Sequence, residues 1–415
     1  MKTIIFLSAV FRYIDLYNFD AIDKEDNSKF ILILGENEKN KITTQHQCCF
    51  NSIIFLPVYL IEGEPNTRFI YSNVHNTIKK LVITHHDIKI ICIDEGNIFL
   101  AAKIRESFNI SGPKQNIVEP FTNKSMMHKI IESGEVAYPK SIFLTKALIK
   151  KNKNVLFDHI VSKVGFPFIL KPDNSSGAFG VSLITSKNDY DNNTIFNDNF
   201  NYLASEYITG DLYHCDLQIY KKEILFSGSG MYLNPLLDFM FEKNIGSILL
   251  EENDARNTEM RNLCIHILLN VIQVNSGSFH VEFFNRDGQW IFLEAAYRPP
   301  GAGLIDLYQQ CLGINLCNTD YLLQIDEKPE YIFKNKKNIF IVAAPIRQGT
   351  LFVKTPPIIK SHLIIDWRVK DAQYMKSPKS IADKALVAFA MNDNYQTLFQ
   401  DYLSLKKHSF FSVNQ

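Results

Sequence analysis

Short apolar runs alternate with amphipathic stretches over the first hundred or so residues of the chain. The apolar runs occupy residues 3–10, 30–34, 52–60 and 88–93, and residues 98–108 (IFLAAKIRESF) carry apolar side chains at helical spacing. Strands that are separated by helices predict a parallel, doubly wound sheet with right-handed crossovers. Gly112 and Pro113 mark the end of this unit. We therefore predict an α/β domain over residues 1–117.

From about residue 166 the pattern changes to short strands that are joined by tight turns. A helical pattern begins at Asn123 and Lys124, and the strand-like runs FPFILK, GVSLI, YLASEYI, YHCDLQIY and EILFSGSG follow it. A helical stretch over residues 252–274 then leads into the hairpin SFHVEFFNRDGQWIFLEA. Short neighbouring strands with helices beside them predict an α+β domain. We place it at residues 118–325, with a small lid subdomain at about 160–205.

The last ninety or so residues contain two more strand-like runs, NIFIVAAPI and HLIIDWRV, and a late helical pattern. These elements predict a C-terminal subdomain over residues 326–415 that packs on the core of the preceding domain. Its sequence contains no motif that indicates a chemical role.

The chain is electrically neutral, with 44 Lys plus Arg against 44 Asp plus Glu among its 415 residues. A neutral chain predicts no nucleic-acid partner and no anionic-membrane partner, so any bound anion must be held by a local site. No segment is apolar for long enough to span a bilayer. The apolar run near the N-terminus is interpreted as a buried strand rather than a signal peptide, because Arg12 and Asp15 follow it at once.

Seven cysteines are scattered along the chain without a CxxC pair or a Cys/His cluster at metal spacing. This distribution disfavours a zinc site. Free thiols are typical of a reducing compartment, so we predict a cytoplasmic protein.

The hairpin SFHVEFFNRDGQWIFLEA is the first candidate for chemistry. Its turn is compatible with a three-residue loop that ends at Gly288 in the left-handed conformation. That register places Glu282 opposite Phe292 and His280 opposite Glu294, so both glutamates and the histidine share one face. The two carboxylates would then be diagonal neighbours, roughly 7 to 8 Å apart at the backbone.

Two carboxylates at this distance repel each other unless a cation lies between them. Mg²⁺ fits because it prefers hard oxygen ligands. The alternative is a solvated face with two unrelated acids, and a two-residue turn would weaken the metal interpretation by placing the acids on opposite faces. From the hairpin alone, both interpretations are equally good. His280 is likewise either a polar strand residue or a group that acts on substrate.

Two basic residues beside turns are further candidates for chemistry. Lys171 ends the strand FPFILK, and the Ser/Gly loop at residues 173–180 follows it. Backbone N–H groups of such a loop can approach an anion, although a plain turn fits equally well and the GxxxxGK[ST] order of a P-loop is missing. Arg298 follows Glu294 by four residues in the turn AAYRPPGAG, within reach of a transferring phosphoryl group. Taken singly, it is better interpreted as a structural arginine.

In this order, the motifs resemble the ATP-grasp superfamily, in particular its carboxylate–amine (L-amino acid) ligases. The stretch TNKSMMHKIIESGEVAYPKS resembles the lysine helix of that superfamily, and PFILKPDNSSGAFGVSLI resembles its lysine strand and phosphate loop. SEYITGDLYHCDLQI resembles the adenine hinge, and HVEFFNRDGQWIFLEAAYRPPGAG the metal hairpin with its arginine. CIDEGNIFLAAKIRESFNISG is similar to the end of the preceding domain in the amino-acid ligase branch. The resemblance covers roughly residues 90–320.

This resemblance implies an architecture and a set of site residues. The architecture is a Rossmann-like pre-ATP-grasp domain, an ATP-grasp core of two α+β subdomains and a C-terminal extension. The implied nucleotide contacts are Lys124 and Lys171 at the α- and β-phosphates, Ser175, Ser176, Gly177 and Gly180 over the β- and γ-phosphates, and Glu206, Tyr207 and Ile208 beside adenine. The implied Mg²⁺ ligands are Glu282 and Glu294, with Mn²⁺ as an alternative ion. Arg298 would stabilise the acyl-phosphate transition state, and Lys171 and His280 complete the catalytic candidates.

The sequence departs from the family pattern at four positions. Ser205 replaces the first hinge acid, Leu212 the acid that meets the ribose, Ala296 an asparagine after the second metal carboxylate, and Asn123 an aspartate before the first lysine. Asp211, His214 and Asp216 are candidates to take over the ribose contact. The phosphate lysines, the metal acids and the arginine are all present, so we expect activity.

The implied reaction is an ATP-dependent ligation in which a carboxylate becomes an acyl phosphate and an amine displaces phosphate. The implied partners are small-molecule carboxylate and amine substrates, namely amino acids, and the family resemblance implies a homodimer. The alternatives are an ATP-grasp carboxylase or purine-type synthetase and, outside enzymes, a nucleotide-binding protein with a decayed site. The intact set of charged site residues argues against decay.

Overall fold

The computed structural model describes residues 2–22, 28–60, 66–151, 153–173, 180–192, 200–334, 336–378 and 380–414. The N-terminal strands and helices are β1 (Thr3–Ser8), β2 (Lys29–Gly35), α1 (Thr44–Cys49), β3 (Ser52–Leu56), β4 (Val58–Leu60), β5 (Thr67–Phe69), α2 (Tyr71–Thr84), β6 (Ile88–Ile91), α3 (Ile98–Ser107) and α4 (Gln115–Thr122). The main sheet has the order β3-β2-β1-β6, and β4 pairs with β5 in a separate ribbon. All three pairings in the main sheet are parallel, which confirms the prediction from the alternating pattern.

Both faces of this sheet are buried, as the side chains of β1 show. Ile5 and Leu7 pack with residues of α2 and α3 on one face. Ile4 and Phe6 point to the other face, where the ring of Phe6 stacks on Tyr321 at a centroid distance of 5.9 Å. Because Tyr321 belongs to a helix that comes much later in the chain, the N-terminal sheet is packed directly against the rest of the molecule.

The next part of the chain forms a small antiparallel sheet. Its elements are α5 (Lys124–Ser133), β7 (Ser141–Leu144), α6 (Lys146–Lys151), α7 (Lys153–Val164), β8 (Phe168–Pro172), β9 (Ser182–Ile184), α8 (Lys187–Asp191) and β10 (Tyr202–Glu206). The sheet order is β7-β10-β8-β9. Leu170 of β8 and Ala204 of β10 pack against Ile160 of α7 in a core of their own. The lysine strand therefore lies inside a compact unit that has its own apolar centre.

A larger antiparallel sheet carries the predicted metal hairpin. The remaining elements are β11 (Asp211–Tyr220), β12 (Glu223–Tyr232), β13 (Ile245–Leu249), α9 (Ala255–Ile265), β14 (Gly277–Arg286), β15 (Gln289–Ala296), α10 (Leu304–Leu312), α11 (Leu316–Gln324), β16 (Ile339–Pro345), β17 (Gly349–Lys354), β18 (His362–Trp367), β19 (Tyr374–Met375), β20 (Lys384–Met391), α12 (Tyr395–Ser404) and β21 (Phe411–Asn414). Eight strands pair in the order β15-β14-β11-β12-β13-β16-β20-β18, and β19-β17-β21 form a small separate sheet. The C-terminal strands β16, β18 and β20 thus extend the central sheet.

Two predictions about local structure have plain outcomes. The helix expected over residues 252–274 ends at Ile265 as an α-helix and continues as the π-helical segment His266–Val271. All seven cysteines are free thiols, as expected.

None of the helices in the described ranges has the length and hydropathy that a membrane crossing needs.

Candidate active site

The hairpin of β14 and β15 turns more tightly than the sequence suggested. Arg286 pairs directly with Gln289, so the loop has two residues, Asp287 and Gly288. Both have positive φ, 52° and 88°, the conformation of the type I′ turn that the Asp-Gly pair favours. The predicted three-residue loop is therefore wrong.

A β-bulge restores the shared face of the two glutamates. Phe283 pairs with Phe292, but the next pair is Glu282 with Glu294, so Leu293 is an additional residue on β15. Such a bulge shifts the alternation of side chains by one residue. The predicted diagonal arrangement is wrong, because the carboxylates lie directly opposite each other, where Cβ atoms are ~4.5–5.5 Å apart.

The same shift changes the partner of the neighbouring histidine. His280 lies opposite Ala296 rather than opposite Glu294. It stays on the face of Glu282, two residues along the same strand. Both side chains are almost completely buried. The prediction that these groups share one face is confirmed, although by a different register.

These side chains line a cavity of about 410 Å³ between the N-terminal domain, the small antiparallel sheet and the eight-stranded sheet. The predicted site residues that contribute to its wall are Lys124, Lys171, Glu206, Tyr207, Ile208, His280, Glu282, Glu294 and Arg298. Ser175, Ser176 and Gly177 lie outside the described residues. Gly180 is described but is not part of the wall.

The two lysines approach the cavity from β8 and from the start of α5. Lys171 is the penultimate residue of β8 and is 7% exposed. Burial lowers the pKa of its ammonium group to about 8, with Glu294 opposing the shift and the charge of Lys124 adding to it. An ammonium group that has lost most of its hydration is ready to bind an anion.

Asp173 connects the lysine strand to the lysine helix. Its Oδ1 accepts hydrogen bonds from the backbone N–H of Ser125 at 2.9 Å and from the Ser125 hydroxyl at 2.7 Å. Its carbonyl oxygen accepts from the backbone N–H of Lys124 at 3.3 Å. Asn123 caps the same helix by accepting from the N–H of Met126. Sequence reasoning missed this role of Asp173, which fixes the position of one lysine relative to the other.

The predicted hinge is tied to the metal hairpin. Glu206 ends β10, and its Oε1 accepts a hydrogen bond from Nη1 of Arg286 at 2.9 Å. Its Oε2 accepts from the backbone N–H of Lys140 at 3.3 Å. The carboxylate of Glu206 is therefore engaged by protein groups, so the hinge offers mainly its backbone and the side chains of Tyr207 and Ile208 to the cavity.

Arg298 is held by an acid from the N-terminal domain. Both Nε and Nη2 of Arg298 donate to Oε2 of Glu95, at 3.1 and 2.7 Å, and Nη1 donates to the carbonyl oxygen of Pro299 at 2.9 Å. Burial alone would raise the pKa of Glu95, but the guanidinium of Arg298 lowers it below the usual value. Sequence reasoning missed Glu95. Its signal was its position directly after a buried parallel strand, at the sheet edge where ligands bind in such folds.

A buried polar cluster lies behind the metal hairpin. Asp216 of β11 accepts hydrogen bonds at Oδ2 from Nδ1 of His214 and from the hydroxyl of Tyr308, both at 2.7 Å. Its Oδ1 accepts from Nδ1 of His280 at 2.6 Å. Nε2 of His214 contacts the Ser247 hydroxyl at 2.7 Å. These contacts hold the pKa of Asp216 well below its usual value, although burial opposes the shift.

Two glycines of β12 make room for this cluster. A Cβ atom at Gly230 would lie 2.4 Å from Nε2 of His214, and one at Gly228 would lie 2.7 Å from the ring of Tyr308. The alternation of Gly with Ser in the stretch SGSG therefore reflects a close approach of two rings to the strand.

His214, Asp216 and His280 could together be suspected of binding a metal, because their ligand atoms all lie within 4.8 Å of one another. The N···O distances of 2.6 and 2.7 Å are instead those of charge-assisted hydrogen bonds. We interpret the three residues as a hydrogen-bonded unit.

The cluster reaches the cavity through His280. Nε2 of His280 lies 3.2 Å from Oε1 of Glu282 and 3.2 Å from the hydroxyl of Tyr232. The Tyr232 hydroxyl donates to the same Oε1 at 2.8 Å. Burial opposes the charged imidazolium, yet Asp216 and Glu282 raise the pKa of His280 to about 10. A cation therefore sits directly behind one of the predicted metal ligands.

The candidates for the ribose contact lie away from the cavity wall. The side chain of Asp211 is about half exposed and lies 3.6 Å from Nζ of Lys406. His214 is completely buried within the cluster. Leu212 lines the cavity instead. The placement of Asp211 and His214 gives no support to their predicted nucleotide contact.

The donor set on the hairpin fits a hard divalent cation. Two carboxylates face each other on neighbouring strands at the wall of a cavity that two lysines also line. Oxygen ligands of this kind suit Mg²⁺, which completes its shell with water and phosphate oxygens. Ala296 offers no side-chain ligand, so Glu282 and Glu294 are the residues of this hairpin that could hold such an ion.

Comparisons with known proteins concern the fold of the chain and its sequence relatives. No family model matches the chain. A curated L-arginine-specific L-amino acid ligase from Bacillus subtilis is 25% identical over 309 residues, which are 72% of each protein. The crystal structure of an L-amino acid ligase from Bacillus licheniformis matches with a TM-score of 0.72 and 12% identity, covering 100% of this chain and 99% of that chain.

A third match is the biotin carboxylase domain dimer of the Hydrogenobacter thermophilus 2-oxoglutarate carboxylase, in complex with MgADP, ADP and bicarbonate. Its TM-score is 0.64 with 12% identity, over 99% of this chain and 91% of that chain. The chain therefore has the fold of ATP-grasp ligases. In sequence it is similar to an L-amino acid ligase.

Proposed function

We propose that the chain joins a carboxylate and an amine, both from amino acids, into an amide by way of an acyl phosphate, with ATP as the phosphoryl donor. The observation that carries this proposal is the meeting of two lysines, two opposed glutamates and one arginine at a single cavity. Phosphoryl transfer needs positioning and charge neutralisation more than covalent help from the protein. Side chains of this kind supply both.

The nucleotide would lie between the small sheet and the central sheet. Adenine would meet the backbone of Glu206 and Ile208 and the ring of Tyr207, and the phosphates would meet Lys124 and Lys171. The loop that includes Ser175, Ser176, Gly177 and Gly180 would cover the phosphates. Support for this arrangement comes from the wall of the cavity, which these hinge residues and both lysines line.

Mg²⁺, with Mn²⁺ as an alternative, would be held by Glu282 and Glu294. When bound, the ion neutralises phosphate charge. The protein contributes the two opposed carboxylates, and the bulge at Leu293 keeps them on one face.

The reaction would proceed in two steps. A carboxylate oxygen attacks the γ-phosphorus of ATP, an O–P bond forms, and ADP leaves. The amine nitrogen then attacks the acyl carbon, and phosphate leaves with the oxygen that came from the carboxylate and with the proton that the amine loses. Arg298 would stabilise the negative charge at this centre, with its guanidinium held by two N–H donors to one oxygen of Glu95. Exclusion of water protects the acyl phosphate from hydrolysis.

Amino acids are proposed as substrates for two reasons. The curated relative is an L-amino acid ligase that is specific for L-arginine. In addition, the cavity wall carries side chains of both signs, including Arg68 and Glu95, beside the apolar Phe99. Such a wall suits a zwitterionic ligand that also has a side chain.

The proposal is tested by incubating the protein with ATP, Mg²⁺ and pools of amino acids while ADP, phosphate and product masses are measured. We expect ADP release that depends on amino acids and a product mass equal to two amino acids minus water. A parallel incubation with bicarbonate as the carboxylate tests the carboxylase alternative. If bicarbonate causes ADP release and none of the amino-acid pools does, the proposal is overturned in favour of that alternative.

We also propose a cytoplasmic enzyme with small-molecule partners alone, and a homodimer. Seven free cysteines support the cytoplasmic setting. The dimeric biotin carboxylase domain with the same fold supports the homodimer.

A further inference from the structure

Asp216 lies behind the ligation site and has no part in the reaction proposed above. It is 1% exposed and sits on β11, which pairs with β12 on one side and β14 on the other. Three donors meet its two carboxylate oxygens: His214 and Tyr308 at Oδ2, and His280 at Oδ1. Both oxygens of this buried carboxylate therefore have hydrogen-bond partners within the fold.

The contact with Asp216 fixes the orientation of the His280 ring. Because Nδ1 of His280 donates to Asp216, Nε2 faces the opposite way, toward Oε1 of Glu282 and the hydroxyl of Tyr232. A carboxylate oxygen accepts hydrogen bonds only, so the contact with Glu282 requires a proton on Nε2. Both ring nitrogens of His280 then donate to carboxylates.

As a result, one carboxylate oxygen of Glu282 is engaged by two side chains. The Tyr232 hydroxyl, at 2.8 Å, and Nε2 of His280, at 3.2 Å, both contact Oε1. These contacts occupy Oε1, whereas Oε2 accepts no hydrogen bond from the described residues and can face a cation. Partners behind a metal ligand commonly set its orientation and the affinity of the site.

We propose that Asp216 is a positioning residue of the ligation site, which acts through His280 to hold Glu282 with one oxygen turned toward the divalent cation. The inference rests on the proposed function in one respect, namely that Glu282 binds that cation. The shape of β12 supports it independently, because Gly228 and Gly230 leave the space that the rings of Tyr308 and His214 fill around Asp216.

Tyr308 provides a matched control for a purely structural role. Its hydroxyl donates to Oδ2 of Asp216 at 2.7 Å and is as deeply buried as the carboxylate. It makes no contact with Oδ1, the oxygen that orients His280. Tyr308→Phe therefore removes a buried hydrogen bond to Asp216 without releasing the ring that holds Glu282.

The experiment measures Mn²⁺ binding to the full-length protein with saturating ADP, from the free-ion signal in electron paramagnetic resonance. We expect Asp216→Asn to weaken Mn²⁺ binding by about 10- to 100-fold, while the affinity for ADP without metal changes less than about twofold. Tyr308→Phe should keep Mn²⁺ affinity within about threefold of the wild type, even if its melting temperature falls by as much as that of Asp216→Asn. Equal Mn²⁺ affinity in Asp216→Asn and the wild type, or an equal loss in Tyr308→Phe, would overturn the inference.

Two substitutions of His280 test the same idea if Asp216→Asn does not fold. The amide nitrogen of glutamine mimics Nε2 and can still donate to Glu282, whereas that of asparagine mimics Nδ1 and reaches only Asp216. His280→Asn should lose Mn²⁺ affinity, and His280→Gln should recover at least part of it. Equal affinities in the two variants contradict the inference. A wild-type protein that binds no Mn²⁺ with ADP would refute the metal assignment itself, whereas failure of the variants alone would refute only the role of Asp216.

Discussion

Glu282 and Glu294 lie directly opposite each other, although the turn that joins their strands would by itself place them on opposite faces of the hairpin. The additional residue at Leu293 corrects the alternation. A bulge beside an active site typically redirects a side chain in this way. The opposed pair is the part of the structure on which the metal assignment depends.

Replacing one of these acids should remove turnover without unfolding the protein. Glu294 is exposed at the cavity wall, so Glu294→Ala leaves no buried cavity. We expect amino-acid-dependent ADP release to fall at least ~100-fold, since a metal ligand is lost, while the melting temperature stays within about 2 °C. Gln289→Ala, an exposed change on the same strand, serves as the control. Full activity in Glu294→Ala would remove the metal assignment.

The ion pair between Glu95 and Arg298 should matter for both stability and rate. It is partly buried and spans 203 positions of the sequence, so its loss leaves a guanidinium that is poorly hydrated and poorly oriented. We expect Glu95→Ala to cost about 1–3 kcal/mol in the free energy of unfolding, measured in urea, and to lower kcat more than it raises KM.

The exposed pair of Lys328 and Glu223 is the comparison for that experiment. Glu223→Ala should cost less than ~1 kcal/mol, because exposed pairs are screened by water. If both substitutions cost the same and kcat is unchanged in Glu95→Ala, the pair does not position Arg298.

The affinity for ADP should depend on pH through Lys171. In the free protein the pKa of this ammonium group is about 8, below its usual value, and an anionic phosphate favours the charged form. Affinity is therefore fully present well below pH 8 and declines as the pH rises through that value, by up to ~10-fold per pH unit at the limit. Calorimetry without metal between pH 7.5 and 9.5 measures this, a range in which phosphate no longer changes its own charge.

Lys171→Arg is the control for this prediction, because a guanidinium keeps its charge throughout that range. The variant should bind ADP with little pH dependence, even where its overall affinity is lower. A wild-type profile as flat as that of the variant would show that Lys171 does not meet the phosphates.

Much of the fold could be predicted because the relevant signals are local. Apolar runs of strand length predicted the parallel N-terminal sheet and the antiparallel sheets, and the structure places Lys171 near the end of its strand at the cavity wall. The hairpin register was the exception. The Asp287-Gly288 pair is the usual signal for a two-residue turn, and four consecutive apolar residues, 290–293, break the alternation where the bulge lies. The two signals alter the register in opposite directions.

The parts that could not be predicted depend on contacts between distant positions. Asp216 meets Tyr308, 92 residues away in sequence, and Arg298 meets Glu95 across 203 residues. The position of Glu95 after a buried parallel strand marks it as a candidate, but no local feature indicates that Arg298 is its partner. The glycines in SGSG are compatible with a close approach to β12, but they do not indicate which rings make it.

The measurement that tests the central claim most directly follows the oxygen of the substrate carboxylate. The protein is incubated with ATP, Mg²⁺ and amino acids whose carboxylate oxygens are labelled with ¹⁸O, and the phosphate and amide products are analysed by mass spectrometry. Ligation through an acyl phosphate predicts one ¹⁸O in each phosphate released, in step with amide formation and ADP release. Phosphate without label, formed while ADP accumulates, would mean that water rather than a carboxylate attacks ATP, and would contradict the proposed function.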